Sequence, residues 1–312
     1  MFGIRSIAGF VPIEGIDNYK QGFEFGKDAE FIDTRIGATF LPKLPRSMET
    51  SDLVVEAVRA LQLKSPELKL TDLDALFVVT QNPDGYGLPH CSAIAQEKLG
   101  LPSSVAAMDI SLGCSGYVYG LYALTGFMKQ TRLRNGVLVT ADPYSKILNK
   151  DDYSTSLLFG DAATATWISA DAPWSLGASL FGTDGTGADS LARVGDHLAM
   201  DGRRVMSFAK RTVHAQIEGV LEMERLNKEQ IDLFVLHQGS AIVVDAISKQ
   251  LDVPRERIPF EMLRTGNTVS SSIPLILQTK LADESFRRII ISGFGVGFSA
   301  ATALIRRNSD SH

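Results

Sequence analysis

The chain is poor in cysteine and has no long uninterrupted apolar segment. Its two cysteines among 312 residues, Cys91 and Cys114, cannot form the disulfide framework of a small secreted protein. The uncharged stretch at residues 289–305 is shorter than the ~20 residues that a membrane-spanning helix needs, and glycines interrupt it. The N-terminal segment MFGIRSIAGF lacks the apolar region and cleavage site of a signal peptide. We therefore expect a cytoplasmic protein without a membrane partner.

Clusters of basic residues are also missing. The 31 Lys and Arg residues stand against 36 Asp and Glu residues, which gives a formal net charge of -5. Proteins that bind nucleic acid usually carry a basic patch or run, so we expect no nucleic-acid partner. Hydrophobic residues make up 45% of the chain, enough to bury a large core at this length. The composition thus excludes disordered and collagen-like chains.

The chain does contain a regular alternation of strand-like and helix-like segments. Short apolar runs typical of buried strands occupy residues 76–80, 105–111, 136–142, 163–169, 233–237 and 288–294. Segments with helical periodicity lie between several of them, at residues 51–63, 115–130 and 211–226. This alternation predicts an α/β architecture in which helices cover mostly buried sheets.

A faint internal repeat divides the chain. ALFVVTQ at 75–81 aligns with DLFVLHQ at 232–238, with Leu76 matching Leu233, an offset of 157 residues. LFGDAATATWI at 158–168 similarly echoes GFGVGFSAATALI at 293–305. Self-similarity at a fixed period indicates repeated structural units. We predict two similar α/β halves packed on each other, residues 1–170 and 171–312.

Cys114 stands at a predicted junction between a strand and a helix, in DISLGCSGYVYG. Unpaired N–H groups and the dipole at a helix N-terminus favour a thiolate, which makes a cysteine a nucleophile near neutral pH. Gly113 and Gly116 leave the backbone bare on both sides, so that the chain can turn and a substrate can approach. A buried structural cysteine is the alternative interpretation.

Two candidate partners for this cysteine lie in the second half of the chain. His237 ends the strand-like run LFVLH, and Asn267 lies in the turn RTGNT before a proline-containing helix start. A cysteine, a histidine and an asparagine, each at the end of an element, could form a nucleophile with proton-handling and hydrogen-bonding partners. Their spacing alone does not show that the three meet.

Five blocks of the sequence resemble the β-ketoacyl-acyl-carrier-protein synthase III group of the thiolase-like condensing enzymes. The blocks are DISLGCSGYVYG, FGDAATA, LFVLHQ, RTGNT and GFGVGFSAA. The resemblance implies a thiolase-like fold with its two halves in a five-layered αβαβα arrangement. It also implies an acyltransferase that loads an acyl group from acyl-CoA onto Cys114. A malonyl thioester, on CoA or on acyl carrier protein, would then condense with that group with loss of carbon dioxide.

The resemblance assigns roles to individual residues. His237 and Asn267 would assist decarboxylation, and the backbone N–H groups of Cys114 and Val296 would hold the oxyanion. No metal and no organic cofactor is implied, because the CoA thioester is itself the substrate. The adjacent His90 and Cys91 do not change this expectation, since no matching ligand pair lies at a structural zinc spacing.

The same resemblance places further contacts outside the catalytic trio. Phe31 and Arg35, in EFIDTRIGATF, would hold the adenine of CoA. Leu88 would lie in a dimer-interface loop that reaches into the partner's acyl pocket, and we therefore expect a homodimer.

The sequence departs from the family pattern after His237. Gly239, Ser240 and Ile242 stand where the family has alanine, asparagine and a basic residue, and that basic residue helps to dock the acidic carrier protein. Two alternatives therefore stay open. One is acyl transfer to an oxygen, nitrogen or sulfur nucleophile, with His237 as general base. The other is a catalytically silent partner subunit, against which the intact cysteine, histidine and asparagine argue.

Overall fold

Two sets of strands with the same connectivity build the main sheet. The computed structural model describes residues 2–308. Within them the strands are β1 (Phe2–Phe10), β2 (Gly15–Asp17), β3 (Phe40–Pro42), β4 (Ala75–Val79), β5 (Ala106–Ile110), β6 (Asn135–Ala141), β7 (Ala163–Ala170), β8 (Trp174–Thr183), β9 (Leu191–Val194), β10 (His197–Met200), β11 (Leu233–Leu236), β12 (Arg288–Gly295) and β13 (Ser299–Arg307). The helices are α1 (Asn18–Glu24), α2 (Ala29–Phe31), α3 (Thr50–Lys64), α4 (Cys91–Lys98), α5 (Gly116–Thr131), α6 (Tyr153–Ser156), α7 (Gly202–Glu224), α8 (Ala241–Leu251) and α9 (Ser272–Lys280).

The main sheet repeats one pattern of strand pairing. Its order in the described part of the chain is β11-β12-β13-β8-β1-β7-β6-β4-β5. In the first half β1 pairs antiparallel with β7, β7 antiparallel with β6, and β6 parallel with β4. In the second half β8, β13, β12 and β11 pair in the same sequence of directions. The prediction of two similar α/β halves is therefore confirmed.

The halves join at a short seam. β1 and β8 pair only at Gly3 with Ser175 and at Ile4 with Trp174. β7 ends at Ala170, just before β8 begins. The division of the chain into units 1–170 and 171–312 stays a prediction, and residues 1 and 309–312 of those units lie outside the described residues.

The helices form three layers around the two sheet halves. α3 and α4 pack on the outer face of the first half, and α7 and α8 pack on the outer face of the second. α5 and α9 lie between the halves, because α5 contacts both β4 and β12 while α9 contacts both β1 and β11. The expected five-layered αβαβα arrangement is confirmed. Among residues 2–308, no helix combines the length and the apolar character needed to span a membrane.

Strand β4 shows why its sequence reads as a continuous apolar run. Phe77 and Val79 join the central apolar cluster with α5 and α9, whereas Leu76 and Val78 join the outer cluster under α3 and α4. Successive side chains of a strand point to opposite faces, so both faces of β4 are buried. The predicted strand and helix segments all match observed elements. Helix α7 begins well before its predicted start, because the Asp201 side chain caps its polar first turn.

Candidate active site

Cys114 lies in the loop between β5 and α5, at the centre of the molecule. It is 4% exposed, and glycine backbone approaches it closely: a Cβ atom added at Gly295 would lie 2.8 Å from its Sγ atom. Only glycine fits at that distance. Cys114 belongs to an apolar cluster, which we call the site cluster. The site cluster consists of Ile32, Ile36, Ala38, Leu41, Cys114, Tyr144, Ile147, Leu148, Leu157, Leu158, Phe159, Leu191, Leu198, Met262 and Val269.

The thiol of Cys114 is protonated in the resting protein. Burial, together with the buried carboxylate of Asp142, raises its pKa to about 12, although the N–H groups of Cys114 and Val296 oppose this shift. The expected resting thiolate is therefore wrong, because the loss of water outweighs the dipoles of nearby amides. The two N–H groups that act on Sγ are those predicted to hold the oxyanion.

His237 follows β11 and is an uncharged imidazole. It is 2% exposed, and burial lowers its pKa to about 3, with the backbone of Val269 opposing this shift. Its ring stands edge-on to Phe294, with 5.4 Å between the ring centroids. A neutral imidazole carries one ring proton, so its Nε2 atom either donates or accepts a hydrogen bond.

Ser272 decides which role Nε2 has. Its Oγ atom lies 2.7 Å from Nδ1 of His237 and 3.1 Å from the carbonyl of Val269, to which it donates. One hydroxyl proton cannot serve both neighbours. When the Ser272 hydroxyl donates to the Val269 carbonyl, Nδ1 of His237 carries the ring proton and Nε2 is an acceptor. When the hydroxyl turns its proton to Nδ1, Nε2 becomes the donor.

Asn267 is held with its amide nitrogen on the His237 side. Its Oδ1 atom accepts from the N–H of Val269 at 2.9 Å, and its Nδ2 atom donates to the carbonyl of Gly239 at 3.3 Å. Val269 has a φ of 53°, in the left-handed region that β-branched residues rarely adopt. Backbone strain of this kind persists where the surroundings enforce it. The strained residue thus fixes which end of Asn267 faces the site.

The structure brings the three predicted catalytic residues close to one junction between the two halves of the molecule. Within the segment Phe294–Gly295, the first residue faces the His237 ring and the second abuts the Cys114 sulfur. Phe159 of the site cluster forms a backbone bridge with Asn267. The Cys114 and His237 side chains therefore approach from different halves of the molecule. Their assigned roles stay predictions.

The other predicted contact residues lie farther out. Phe31 is half-buried against the site cluster, and the Lys27 ammonium group lies 5.2 Å from its ring centroid. Arg35 is exposed on the π-helical turn Ile32–Ile36. Leu88 is 88% exposed and is not part of the site cluster of its own chain. The CoA-binding and acyl-pocket roles of these residues also stay predictions.

Sequence reasoning missed Asp142, a fully buried carboxylate behind the nucleophile. It accepts hydrogen bonds from the Gln81 N–H at 2.7 Å and from the Ser270 hydroxyl at 2.5 Å. Burial raises its pKa to about 6, and these hydrogen bonds oppose the shift. The available signal was its position directly after the apolar strand β6. Ser272 and Val269 carried no comparable signal, because their importance lies in a hydroxyl orientation and a backbone angle.

The repeated sheet halves and the central helix pair, with a buried cysteine, histidine and asparagine near the junction of the halves, define a thiolase-fold condensing enzyme. Residues 108–185 match the family model of 3-oxoacyl-[acyl-carrier-protein] synthase III, and residues 221–307 match the model of its C-terminal part. The chain belongs to this family.

Individual relatives resemble the chain over almost its whole length. It is 33% identical to the β-ketoacyl-[acyl-carrier-protein] synthase III of Geobacillus kaustophilus, over 97% of this chain and 98% of the relative. It is 31% identical to synthase III 1 of Halalkalibacterium halodurans, with the same coverage of 97% and 98%. A crystal structure of a 3-oxoacyl-(acyl-carrier-protein) synthase III superposes with a TM-score of 0.92 at 34% identity, covering 98% of this chain and 99% of that one. The structure of the Thermus thermophilus β-ketoacyl-[acyl-carrier-protein] synthase III superposes with a TM-score of 0.90 at 29% identity, covering 98% of this chain and 99% of that one.

Proposed function

We propose that the protein is a condensing acyltransferase that loads an acyl group from acyl-CoA onto Cys114. It then joins this group to a malonyl thioester with loss of carbon dioxide. One observation carries the proposal: a buried thiol, with two backbone N–H groups directed at it, abuts the strand segment that packs against an uncharged histidine, and an oriented asparagine amide lies nearby. Family membership supports the same reaction.

In the first half-reaction the Cys114 sulfur attacks the thioester carbonyl. The N–H groups of Cys114 and Val296 stabilise the negative oxygen that forms. The carbon–sulfur bond to CoA then breaks, and the acyl group remains on Cys114. Because the resting thiol is protonated, its proton leaves during the attack and ends on the sulfur of released CoA.

In the second half-reaction the malonyl thioester loses its carboxylate as carbon dioxide. The electron pair of the broken bond forms an enolate, and Nε2–H of His237 and Nδ2–H of Asn267 donate hydrogen bonds to its oxygen. The enolate carbon attacks the acyl carbonyl, and Cys114 leaves as a thiolate that regains a proton. An uncharged imidazole suits this step, because a weak acid stabilises the enolate without protonating its carbon.

We place the adenine of CoA against Phe31 and Arg35. Phe31 offers a half-buried ring at the edge of the site cluster, and Arg35 offers an exposed guanidinium group nearby in sequence. Both half-reactions are thioester chemistry, so the proposal includes no metal and no organic cofactor. The expected cytoplasmic location stays part of the proposal.

A homodimer through β5 completes the proposal. β5 is the last strand of the main sheet and is only partly buried, with Met108 at 39% exposed. Asp109 accepts hydrogen bonds from the N–H groups of Cys91 and Ser92, which ties the exposed Leu88 loop to this edge. An unpaired strand edge is a template for another chain. Leu88 would then reach the partner's acyl pocket.

Light scattering tests the dimer. Met108→Glu places a charge on the β5 edge, and we expect it to convert the dimer to monomer. Met223→Glu, at an exposed methionine on α7, is the matched control and should leave the dimer intact. A monomeric wild-type protein would contradict the proposed dimer.

Intact-protein mass spectrometry tests the reaction. Wild type and Cys114→Ser are incubated with a panel of acyl-CoAs, and malonyl-CoA labelled in its free carboxyl group is then added. We expect an acyl adduct on Cys114 alone, followed by labelled carbon dioxide and a β-ketoacyl product. If the adduct disappears without release of labelled carbon dioxide, the reaction is acyl transfer to another nucleophile and not condensation. The absence of any adduct would overturn the proposal.

A further inference from the structure

A cavity of about 720 Å³, which we call the side chamber, lies beside the nucleophile loop. Gln81 lines this chamber and also touches the loop, since a Cβ atom added at Gly113 would lie 2.6 Å from its Oε1 atom. Gly113 immediately precedes Cys114. The inner end of the side chamber is therefore next to the residue that carries the acyl group.

Two amide side chains, Gln81 and Asn82, line the inner end of the side chamber. The buried Tyr144 hydroxyl donates to Oε1 of Gln81 at 2.9 Å, which fixes the orientation of that carboxamide. The Nε2 atom of Gln81 makes no hydrogen bond among residues 2–308. Asn82 also lines the chamber and is 7% exposed, and its Nδ2 atom has no hydrogen-bond partner within the same residues.

These donors favour a ligand that carries an oxygen acceptor. A buried amide N–H group without an acceptor is costly, and a ligand oxygen that meets it removes that cost. Rotation about the last side-chain bond of Asn82 turns its amide toward the chamber. A purely alkyl ligand would leave the Gln81 and Asn82 donors without partners.

The outer part of the side chamber carries excess positive charge. Arg46, Lys146 and Arg193 line it together with one carboxylate, Glu49. Lys146 is paired with Glu49, and Arg193 is paired with the exposed Asp196 at 3.5 Å, so that Arg46 is the chamber cation without an ion pair among residues 2–308. Cations at the wall of a cavity attract an anionic group more strongly than they would in open water.

We propose that the side chamber receives the acyl group of the CoA substrate and that this group ends in a carboxylate. The preferred substrate class is then the CoA half-thioester of a dicarboxylic acid. The Gln81 and Asn82 amides donate to the distal oxygens, and the cations at the outer wall complement their charge. This inference rests on the proposed loading of Cys114.

Three acyl-CoAs of nearly equal shape test the inference. Succinyl-CoA ends in a carboxylate, 4-oxopentanoyl-CoA ends in a neutral ketone, and 4-methylpentanoyl-CoA ends in an alkyl branch. The rate of Cys114 acylation is measured by intact-protein mass spectrometry at subsaturating substrate, and adducts formed on Cys114→Ser are subtracted. We expect succinyl to load at least about tenfold faster than 4-methylpentanoyl, with 4-oxopentanoyl between them.

Substitutions locate the effect in the side chamber. Gln81→Leu and Asn82→Leu should each lower the ratio of succinyl to 4-methylpentanoyl loading toward one. Gln250→Leu, at an exposed glutamine on α8, is the matched control and should keep the wild-type ratio.

The outcomes separate the two proposals. Equal loading of all three acyl groups by wild type would overturn the inference and leave the proposed function intact. Equal loading of the succinyl and 4-oxopentanoyl groups would overturn the assignment of a carboxylate. Absence of loading by every acyl-CoA would instead count against the proposed function itself.

Discussion

The two halves of the molecule use the same strand end for different chemistry. In β4, Val79 faces the central layer and Gln81 follows two residues later; in β11, Val235 faces the central layer and His237 follows two residues later. Gln81 reaches the backbone beside Cys114, whereas His237 contacts Ser272. In the proposed mechanism, the duplicated scaffold thus assigns acyl binding to one strand end and decarboxylation to its counterpart. The comparison teaches that the side chain at one position, rather than the scaffold, decides the reaction step.

The largest expected effect is the loss of acyl loading when the first half loses its nucleophile. Cys114→Ser should slow adduct formation by at least about 10³-fold, because a serine hydroxyl next to an uncharged histidine of low basicity is a poor nucleophile. Mass spectrometry with an accepted acyl-CoA measures the rate. Cys91→Ser, at the other buried cysteine, is the control and should load normally. Normal loading by Cys114→Ser would show that Cys114 is not the nucleophile.

Substitutions in the second half should spare loading and abolish decarboxylation. His237→Ala and Asn267→Ala should each lower the release of labelled carbon dioxide from malonyl-CoA by about 10²–10³-fold, because each removes a donor to the enolate oxygen. Cys114 acylation by the same variants, followed by mass spectrometry, should stay within a few-fold of wild type. If the rates of acylation and of decarboxylation fall by the same factor, the separate roles assigned to the two halves are wrong.

The pH dependence of Cys114 alkylation sharpens the comparison further. Since the thiol has a pKa of about 12, its thiolate fraction increases as the pH rises. Above about pH 7, where Asp142 with its pKa of about 6 is ionised, the rate of alkylation by iodoacetamide should therefore grow about tenfold per pH unit, or about 100-fold between about pH 7 and about pH 9, without levelling off. His237, with a pKa of about 3, does not titrate in this window. Alkylation of Cys114→Ser provides the background, and a plateau below neutral pH would instead indicate a resting thiolate.

The smallest predicted effect concerns Ser272, a positioning residue of the second half. Ser272→Ala should lower decarboxylation by about tenfold, because His237 then loses the hydroxyl that donates to Nδ1 when it turns away from the Val269 carbonyl. Nitrogen NMR of the His237 ring should show a larger share of the Nδ1-protonated tautomer in this variant. Ser272→Thr keeps a hydroxyl and should recover much of the activity. An unchanged tautomer in Ser272→Ala would exclude this role.

The sequence predicts the elements well because each buried strand is an apolar run bounded by polar turns. It predicts the repeat in strand order but not in register. Leu76 lies in the outer cluster of its half, whereas the aligned Leu233 lies in the central cluster. The alignment is therefore shifted by one residue, and such a shift moves every side chain to the opposite face. On a strand that is buried on both faces every position is apolar, so the residue type does not indicate which face a side chain occupies.

The three candidate catalytic residues could be found from the sequence because each stands at the end of an element. The charge state of Cys114 could not, because it depends on burial by residues distant in the chain. The same holds for the Gln81–Tyr144 hydrogen bond, which joins residues from two separate loops. Local sequence thus locates the reacting groups, and tertiary packing sets their protonation and selectivity.

The hydroxyl of Ser272 has a consequence for how this enzyme could diverge. In the proposed mechanism, its rotation decides whether Nε2 of His237 donates a hydrogen bond to an enolate or accepts one from an incoming alcohol or amine. Condensation and simple acyl transfer would then need the same three side chains. A descendant of this chain could pass from making carbon–carbon bonds to making esters or amides through changes around a single rotatable O–H group, with its nucleophile retained.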